Sequence, residues 1–103
     1  MKIVNLTPHA IVVGTETFSP SGLIARVEMT GTASGELNGF PVRVLAPAGN
    51  NLPVVKADTV YLVSGLVLTA AKLLGRVDCI APDTDKGIRN EKGHIVSVPG
   101  FVR

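Results

Sequence analysis

The stretch from Thr59 to Asn90, TVYLVSGLVLTAAKLLGRVDCIAPDTDKGIRN, constrains the fold more than any other part of this chain. It opens with Val60, Tyr61, Leu62 and Val63, a short β-branched and aromatic run with the character of a buried strand. Ser64 follows, and its hydroxyl suits the unsatisfied N–H groups at a helix start. Leu66, Val67, Ala70, Ala71, Leu73 and Leu74 then recur at three- and four-residue steps, which predicts a helix over Ser64–Leu74 with one continuous apolar face. Gly75 supplies the left-handed residue that ends it, and Lys72 is a cation in the last turn, where the helix dipole favours one. No other segment reads as a convincing helix. Directly beyond it, Arg76, Asp78, Asp83, Thr84, Asp85, Lys86, Arg89 and Asn90 form the densest polar stretch of the sequence.

A length of 103 residues predicts a single domain spanning 1–103. Hydrophobic residues make up 46% and charged residues 17%, against roughly 25% charged in an average protein, which argues against a disordered chain. Aromatics are only 4%, so the core must rest on Val, Leu, Ile and Ala. Four cations and four anions cancel between Met1 and Ala71, and the net charge of +2 comes entirely from the last third. No basic block and no aromatic-plus-basic surface is visible, so no polymeric nucleic acid is expected as a partner. The lone Cys79 sits in the apolar run RVDCIA and reads as a small buried hydrophobe. No apolar run reaches the roughly 18 residues of a membrane span, and MKIVNLTPHAIVV lacks a secretory h-region, so a cytoplasmic protein without a membrane partner is expected.

Taken in order, Lys2–Leu6 and Ala10–Val13 read as short strands separated by Thr7-Pro8, and they make either a hairpin or one bent strand. Ser19-Pro20-Ser21-Gly22 is a turn. Leu23–Thr32 alternates, with Ile24, Arg26, Glu28 and Thr30 on one face and Leu23, Ala25, Val27 and Met29 on the other, which predicts an antiparallel strand. Asn38-Gly39 is a hairpin turn signal, Val42–Leu45 a strand, and Pro47, Gly49, Asn50, Asn51 and Pro53 a loop. Beyond the helix, Val77–Ala81 and His94–Val98 read as strands, with a tight turn at Arg89–Gly93. The sum predicts an α+β fold, a curved antiparallel sheet of short strands with one main helix.

The standard catalytic motifs are missing: no GxSxG, HExxH, P-loop or GxGxxG occurs. His9 and His94 have no cysteine at metal-ligand spacing, and Asp83 and Asp85 provide few oxygens for a hard cation, so a non-enzyme without metal or cofactor is expected. The residues that carry chemistry are Arg26, Arg43, Arg76 and Arg89, all on or beside predicted strands. Guanidinium forks match phosphate oxygens through paired, charge-assisted hydrogen bonds. Asp78 and Asn90 can read hydroxyls or a base edge, and Tyr61 or Phe101 can stack on a base. The alternative is that these arginines pair with Glu28, Asp78, Asp83 and Glu91 on the surface.

Five segments in order, NLTPHAI, SGLIARV, YLVSGLV, GRVDCIAPDT and IRNEKGHIVSV, resemble a set of small phage and prophage proteins. The resemblance covers nearly the whole chain and is to the first family of Thoeris anti-defence proteins. Those are phage sponges that bind cyclic ADP-ribose isomers made by bacterial TIR-domain enzymes, and related members bind cyclic di- or trinucleotides. The resemblance implies a phage-encoded sponge in the host bacterial cytoplasm that sequesters a cyclic nucleotide signal without cleaving it, as a homodimer or higher homo-oligomer. It points to Arg26 in the Ala-Arg-Val segment and to Arg89 with Asn90 in the late turn as ligand contacts, with Arg76 and Asp78 matching an Arg-x-Asp segment. Two positions bear on that carry-over. Asn90 in the turn affects ribose recognition, and Ser97-Val98-Pro99 stands where many members have Gly-Cys-Arg. The competing expectation is a phage structural or assembly protein that forms oligomers.

Overall fold

Tyr61-Leu62-Val63 and Cys79-Ile80-Ala81 are apolar without alternation, the pattern of strands buried on both faces. In a computed structural model covering residues 1–103, they become parallel neighbours joined by the helix. In chain order the elements are β1 (Lys2–Asn5), β2 (Ile11–Val13), β3 (Glu16–Phe18), β4 (Val27–Leu37), β5 (Phe40–Asn50), β6 (Thr59–Leu62), α1 (Gly65–Leu73), β7 (Cys79–Pro82), a 3-10 turn (Thr84–Lys86), β8 (Ile88–Arg89), β9 (Ile95–Ser97) and β10 (Phe101–Val102).

The central sheet has the order β1-β6-β7-β10, with β1, β6 and β7 parallel and β10 antiparallel to β7. This corrects the expected curved antiparallel sheet. The α+β class stands, but strands separated by a helix pair in parallel because the helix is the crossover that parallel strands require. The other strands form three separate antiparallel pairs, β2–β3, β4–β5 and β8–β9, and no sheet is closed or curled.

The sheet is buried on both sides, and period two divides the work. Tyr61, Val63, Cys79 and Ala81 pack with Leu6, Ala25, Leu68 and Ala71 on the helix side. Val60, Leu62 and Ile80 face the other way, against Ile3, Ile11, Phe18 and Phe101. Phe18 and Phe101 meet edge to face, with ring centroids 5.8 Å apart.

The helix starts and stops where the sequence says. The Ser64 hydroxyl accepts from the Val67 N–H at 3.3 Å, and Gly75 takes φ +82° just past the end. Its buried side differs from the expected one. Leu68, Ala70 and Ala71 face the core, while Leu66 and Leu73 stay exposed. An almost wholly apolar helix offers more than one face, and the sheet selects among them.

Strand β4 begins at Val27 rather than Leu23. Ala25 instead runs past the core, donating its N–H to the Leu6 carbonyl at 2.8 Å. The strand expected at Val42–Leu45 extends through Pro47, Gly49 and Asn50, which the sequence suggested as loop. Asn38 and Gly39, at φ +52° and +83°, form the two-residue connection, the left-handed pair of a type I′ turn. β4 and β5 therefore make an 11-residue hairpin arm. All but three of its residues are exposed. The arm accounts for extents of 52 × 39 × 21 Å and a radius of gyration of 16.3 Å, against roughly 13 Å for a compact chain of this length. No helix is long and apolar enough to cross a membrane.

Candidate functional site

Where the arm leaves the body, Asn51 takes over the backbone bonds that a strand would otherwise provide. Its side-chain oxygen accepts from the Arg26 N–H at 2.6 Å, and its amide donates to the Ile24 carbonyl at 2.9 Å. Its backbone N–H donates to the Arg26 carbonyl at 3.3 Å. Asn50 turns the chain beside it, its side-chain oxygen accepting from the Leu52 N–H at 3.0 Å. These contacts fix the backbone of Arg26 on both sides.

The result is an open cavity of about 470 Å³ lined by Arg26, Val27, Glu28, Gly49, Asn50 and Asn51, of which only Val27 is a hydrophobic residue. Its size lies within the usual range of small-molecule sites. It brings together a guanidinium, a carboxylate and side-chain amides, which can hold an anion and exchange hydrogen bonds with hydroxyls or base edges. Arg26 alone among the predicted arginines lines it. Asn50 and Asn51 were not foreseen as site residues. Their signal was two adjacent asparagines between Gly49 and Pro53, a pattern that sequence reading assigns to a variable loop.

The remaining predicted residues lie elsewhere. Arg76 and Asp78 are bound to each other: Arg76 Nε donates to Asp78 Oδ1 at 2.9 Å and Nη2 to Oδ2 at 2.8 Å. Arg76 Nη2 also donates to the Pro53 carbonyl at 2.8 Å, which ties the loop before β6 to the start of β7. The Arg76 hydrogen bond holds the Asp78 carboxyl below the usual carboxylate range, and the same bond raises the guanidinium. The next residue, Cys79, is buried, and burial pushes its thiol up.

Arg89 and Asn90 belong to the β8–β9 turn. Arg89 donates to the Gly93 carbonyl at 2.7 Å, and the Asn90 side-chain oxygen accepts from the Lys92 and His94 N–H groups, both at 3.0 Å. Arg43 is on the arm, its guanidinium lying over Gly31. Phe101 packs on Phe18 and lines an apolar cavity of about 360 Å³ with Met1, Ile3, Val60, Ile80 and Arg103.

The NLTPH segment forms a locked turn. Buried Asn5 donates to the His9 and Phe18 carbonyls at 2.9 and 2.8 Å, and accepts from the Thr7 N–H and hydroxyl at 2.9 and 2.7 Å. His9 contributes its carbonyl to that turn. The expected surface pairing of arginines occurs only at Arg76–Asp78, since the other ion pair joins the N-terminus to Asp58. Arg26, Arg43 and Arg89 keep cationic groups without a carboxylate partner. Comparison with protein-family models, with curated proteins and with solved structures found no match.

Proposed function

We propose that this chain is a phage-encoded sponge that binds a cyclic nucleotide signal, a cyclic ADP-ribose isomer or a related cyclic di- or trinucleotide, and releases it uncleaved. The observation that carries the reading is Arg26, an unpaired guanidinium on a pinned backbone at the mouth of a cavity of about 470 Å³. Arginine is suited to a bridging phosphate because its fork makes two parallel charge-assisted bonds. Glu28 and Asn50 line the same cavity, and the Glu28 carboxylate and the Asn50 side-chain N–H groups suit ribose hydroxyls and base edges, while the Asn51 side chain is spent on the backbone of Arg26 and Ile24. The sequence resemblance independently points to Arg26. Arg89 lies outside this cavity, on the β8–β9 turn, and in this reading its exposed guanidinium, which has further N–H groups beyond the one given to Gly93, is a separate anion contact. Asp78 has no part, because Arg76 occupies both its oxygens.

A sponge works by affinity alone. It must hold its ligand more tightly than the host receptor does, and a nanomolar complex corresponds to about −12 kcal/mol. The test is to incubate purified protein with a panel of cyclic ADP-ribose isomers and cyclic oligonucleotides, filter, heat the retained fraction and chromatograph both. One compound is expected to leave the filtrate and return unchanged on heating. Return as a product would establish an enzyme instead. Arg26→Ala is expected to weaken binding about tenfold to a hundredfold, the usual size of a lost hydrogen bond to a charged group. Arg89→Ala with wild-type affinity would remove that residue from the site.

A second reading, a phage structural or assembly protein, is favoured by the arm. Leu37, Phe40, Val44 and Leu45 are each more than half exposed on it, as in a chain that engages neighbours. Depletion of nothing in the panel would move this reading to the front.

A further inference from the structure

The cavity at the arm's root holds two opposite charges that do not neutralise each other. The bond from the Asn51 N–H to the Arg26 carbonyl continues the β4–β5 ladder by one pair beyond Val27 and Asn50. Arg26 and Glu28 therefore leave the same face of one extended run, about 7 Å apart. Both line the cavity. The ion pairs of the chain are Met1 with Asp58 and Arg76 with Asp78, so neither charge has a partner.

The other polar side chains of the cavity are largely committed. Asn51 gives its oxygen and its amide to Arg26 and Ile24, and the Asn50 oxygen accepts from the Leu52 N–H. What remains is donors from Arg26 and Asn50 and one unengaged acceptor, the Glu28 carboxylate. The floor beside that carboxylate is bare. Gly49 pairs directly with Glu28, and a Cβ built on it would stand 4.0 Å from Glu28 Oε2.

We infer that Glu28 selects which nucleotides the cavity accepts: its carboxylate takes the 2′- and 3′-hydroxyls of a ribose whose 5′-phosphate lies on Arg26, and it excludes a ribose phosphorylated at either hydroxyl. This rests on the nucleotide reading of the cavity and adds a rule of selection to it. An ionised carboxylate has no hydrogen to give, so whatever lies against it must donate. Two vicinal hydroxyls bring two donors to its two oxygens. A phosphate in their place brings only acceptors and a charge of roughly −1.5 to −2. The same chemistry operates in dinucleotide sites, where an acidic residue reads the ribose 2′-hydroxyl and an arginine accommodates a 2′-phosphate. The spacing of Arg26 and Glu28 is comparable to the span of one ribose from its 5′-phosphate to its diol. The rule also runs against the overall charge. The chain carries +2, so long-range electrostatics favours the more highly charged nucleotide. Preference for the less charged one is the signature of Glu28.

Two nucleotides with a single ribose give the test: 5′-AMP and adenosine 2′,5′-bisphosphate, each titrated into the isotope-labelled full chain and followed by NMR amide shifts. In the wild type, 5′-AMP is expected to move the amides of Glu28, Asn50 and Asn51, and the bisphosphate to bind at least tenfold more weakly. Glu28→Gln keeps the size of an exposed side chain and removes its charge. It is expected to bind 5′-AMP about tenfold more weakly, the usual loss of a hydrogen bond to a charged group, and to take the bisphosphate at least as well as 5′-AMP. Equal binding of the two nucleotides by the wild type overturns the inference, as does an unchanged preference in Glu28→Gln or the absence of shifts at the cavity with both. The outcome separates from that of the sponge reading. A cyclic nucleotide depleted from the filtration panel, with no preference between these two probes, removes the role of Glu28 alone. Preference for 5′-AMP with nothing depleted from the panel keeps Glu28 as the selecting residue and removes the sponge.

Discussion

Asp78 is 9% exposed and Arg76 is its bidentate partner, with a third bond from Arg76 to the Pro53 carbonyl. Removing one member of a mostly buried pair leaves the other desolvated without compensation. Asp78→Ala is therefore expected to lower unfolding free energy by about 3 kcal/mol, read as a fall in the urea midpoint at neutral pH. The pH dependence has a definite sign. The folded carboxyl titrates below its unfolded value of roughly 3.9, so between the two the unfolded chain binds more protons and stability rises with pH. The contribution is complete above the unfolded value and is lost as pH falls through the folded one. The gap between wild type and Asp78→Ala should accordingly be widest at neutral pH and close progressively as the pH falls below about 4. A gap independent of pH would show that packing, not the ion pair, sets the loss.

Elements divide into those that share the core and the arm that does not. Ser64 caps α1, whose Leu68 and Ala71 seal one side of the sheet, so Ser64→Ala is expected to lower global stability by about 1 kcal/mol. Gly39 stands at φ +83° in the arm's turn, and a side chain there costs about 1 kcal/mol of left-handed strain. That cost falls on the arm alone. In Gly39→Ala the thermal midpoint of the body should hold while amide exchange in β4 and β5 quickens. A matching fall in the midpoint for both variants would mean that the arm folds with the core.

For the molecule as a whole, burial is concentrated in very few residues. Sixteen side chains are buried, and eleven of them lie in β6, α1, β7 and the residues immediately flanking these. Amide exchange tracks the free energy of the opening that exposes each bond. The slowest amides are expected in β6 and β7, including those of Tyr61 and Val63, which donate to the Asp78 and Ile80 carbonyls at 2.8 Å. The arm's amides, on an almost wholly exposed hairpin, should exchange faster by orders of magnitude. Arm amides as slow as those of β6 and β7 would contradict this ordering.

What the sequence determined by itself is local. Ser64, Gly75 and the spacing between them set the helix ends, because capping and left-handed glycine act within a few residues. Asn38-Gly39 set the arm's turn for the same reason. Arg26 was legible as a candidate from its residue type and from the resemblance. What only tertiary structure decided is long-range. The helix crossover sets β6 and β7 parallel, the parallel docking of β1 on β6 is chosen by packing across the intervening β2–β5, and the buried side of α1 follows from which face the sheet takes. Arg76 and Asp78 read from the sequence as ligand contacts, and only the geometry joins them to each other and Arg76 to the Pro53 carbonyl, 23 residues earlier. Asn51 reaches back 25 residues to pin Arg26, and that contact, invisible in a linear pattern, makes the cavity. Short-range signals are carried by the residues that make them. Partners distant in the chain are chosen by packing, which no single segment encodes.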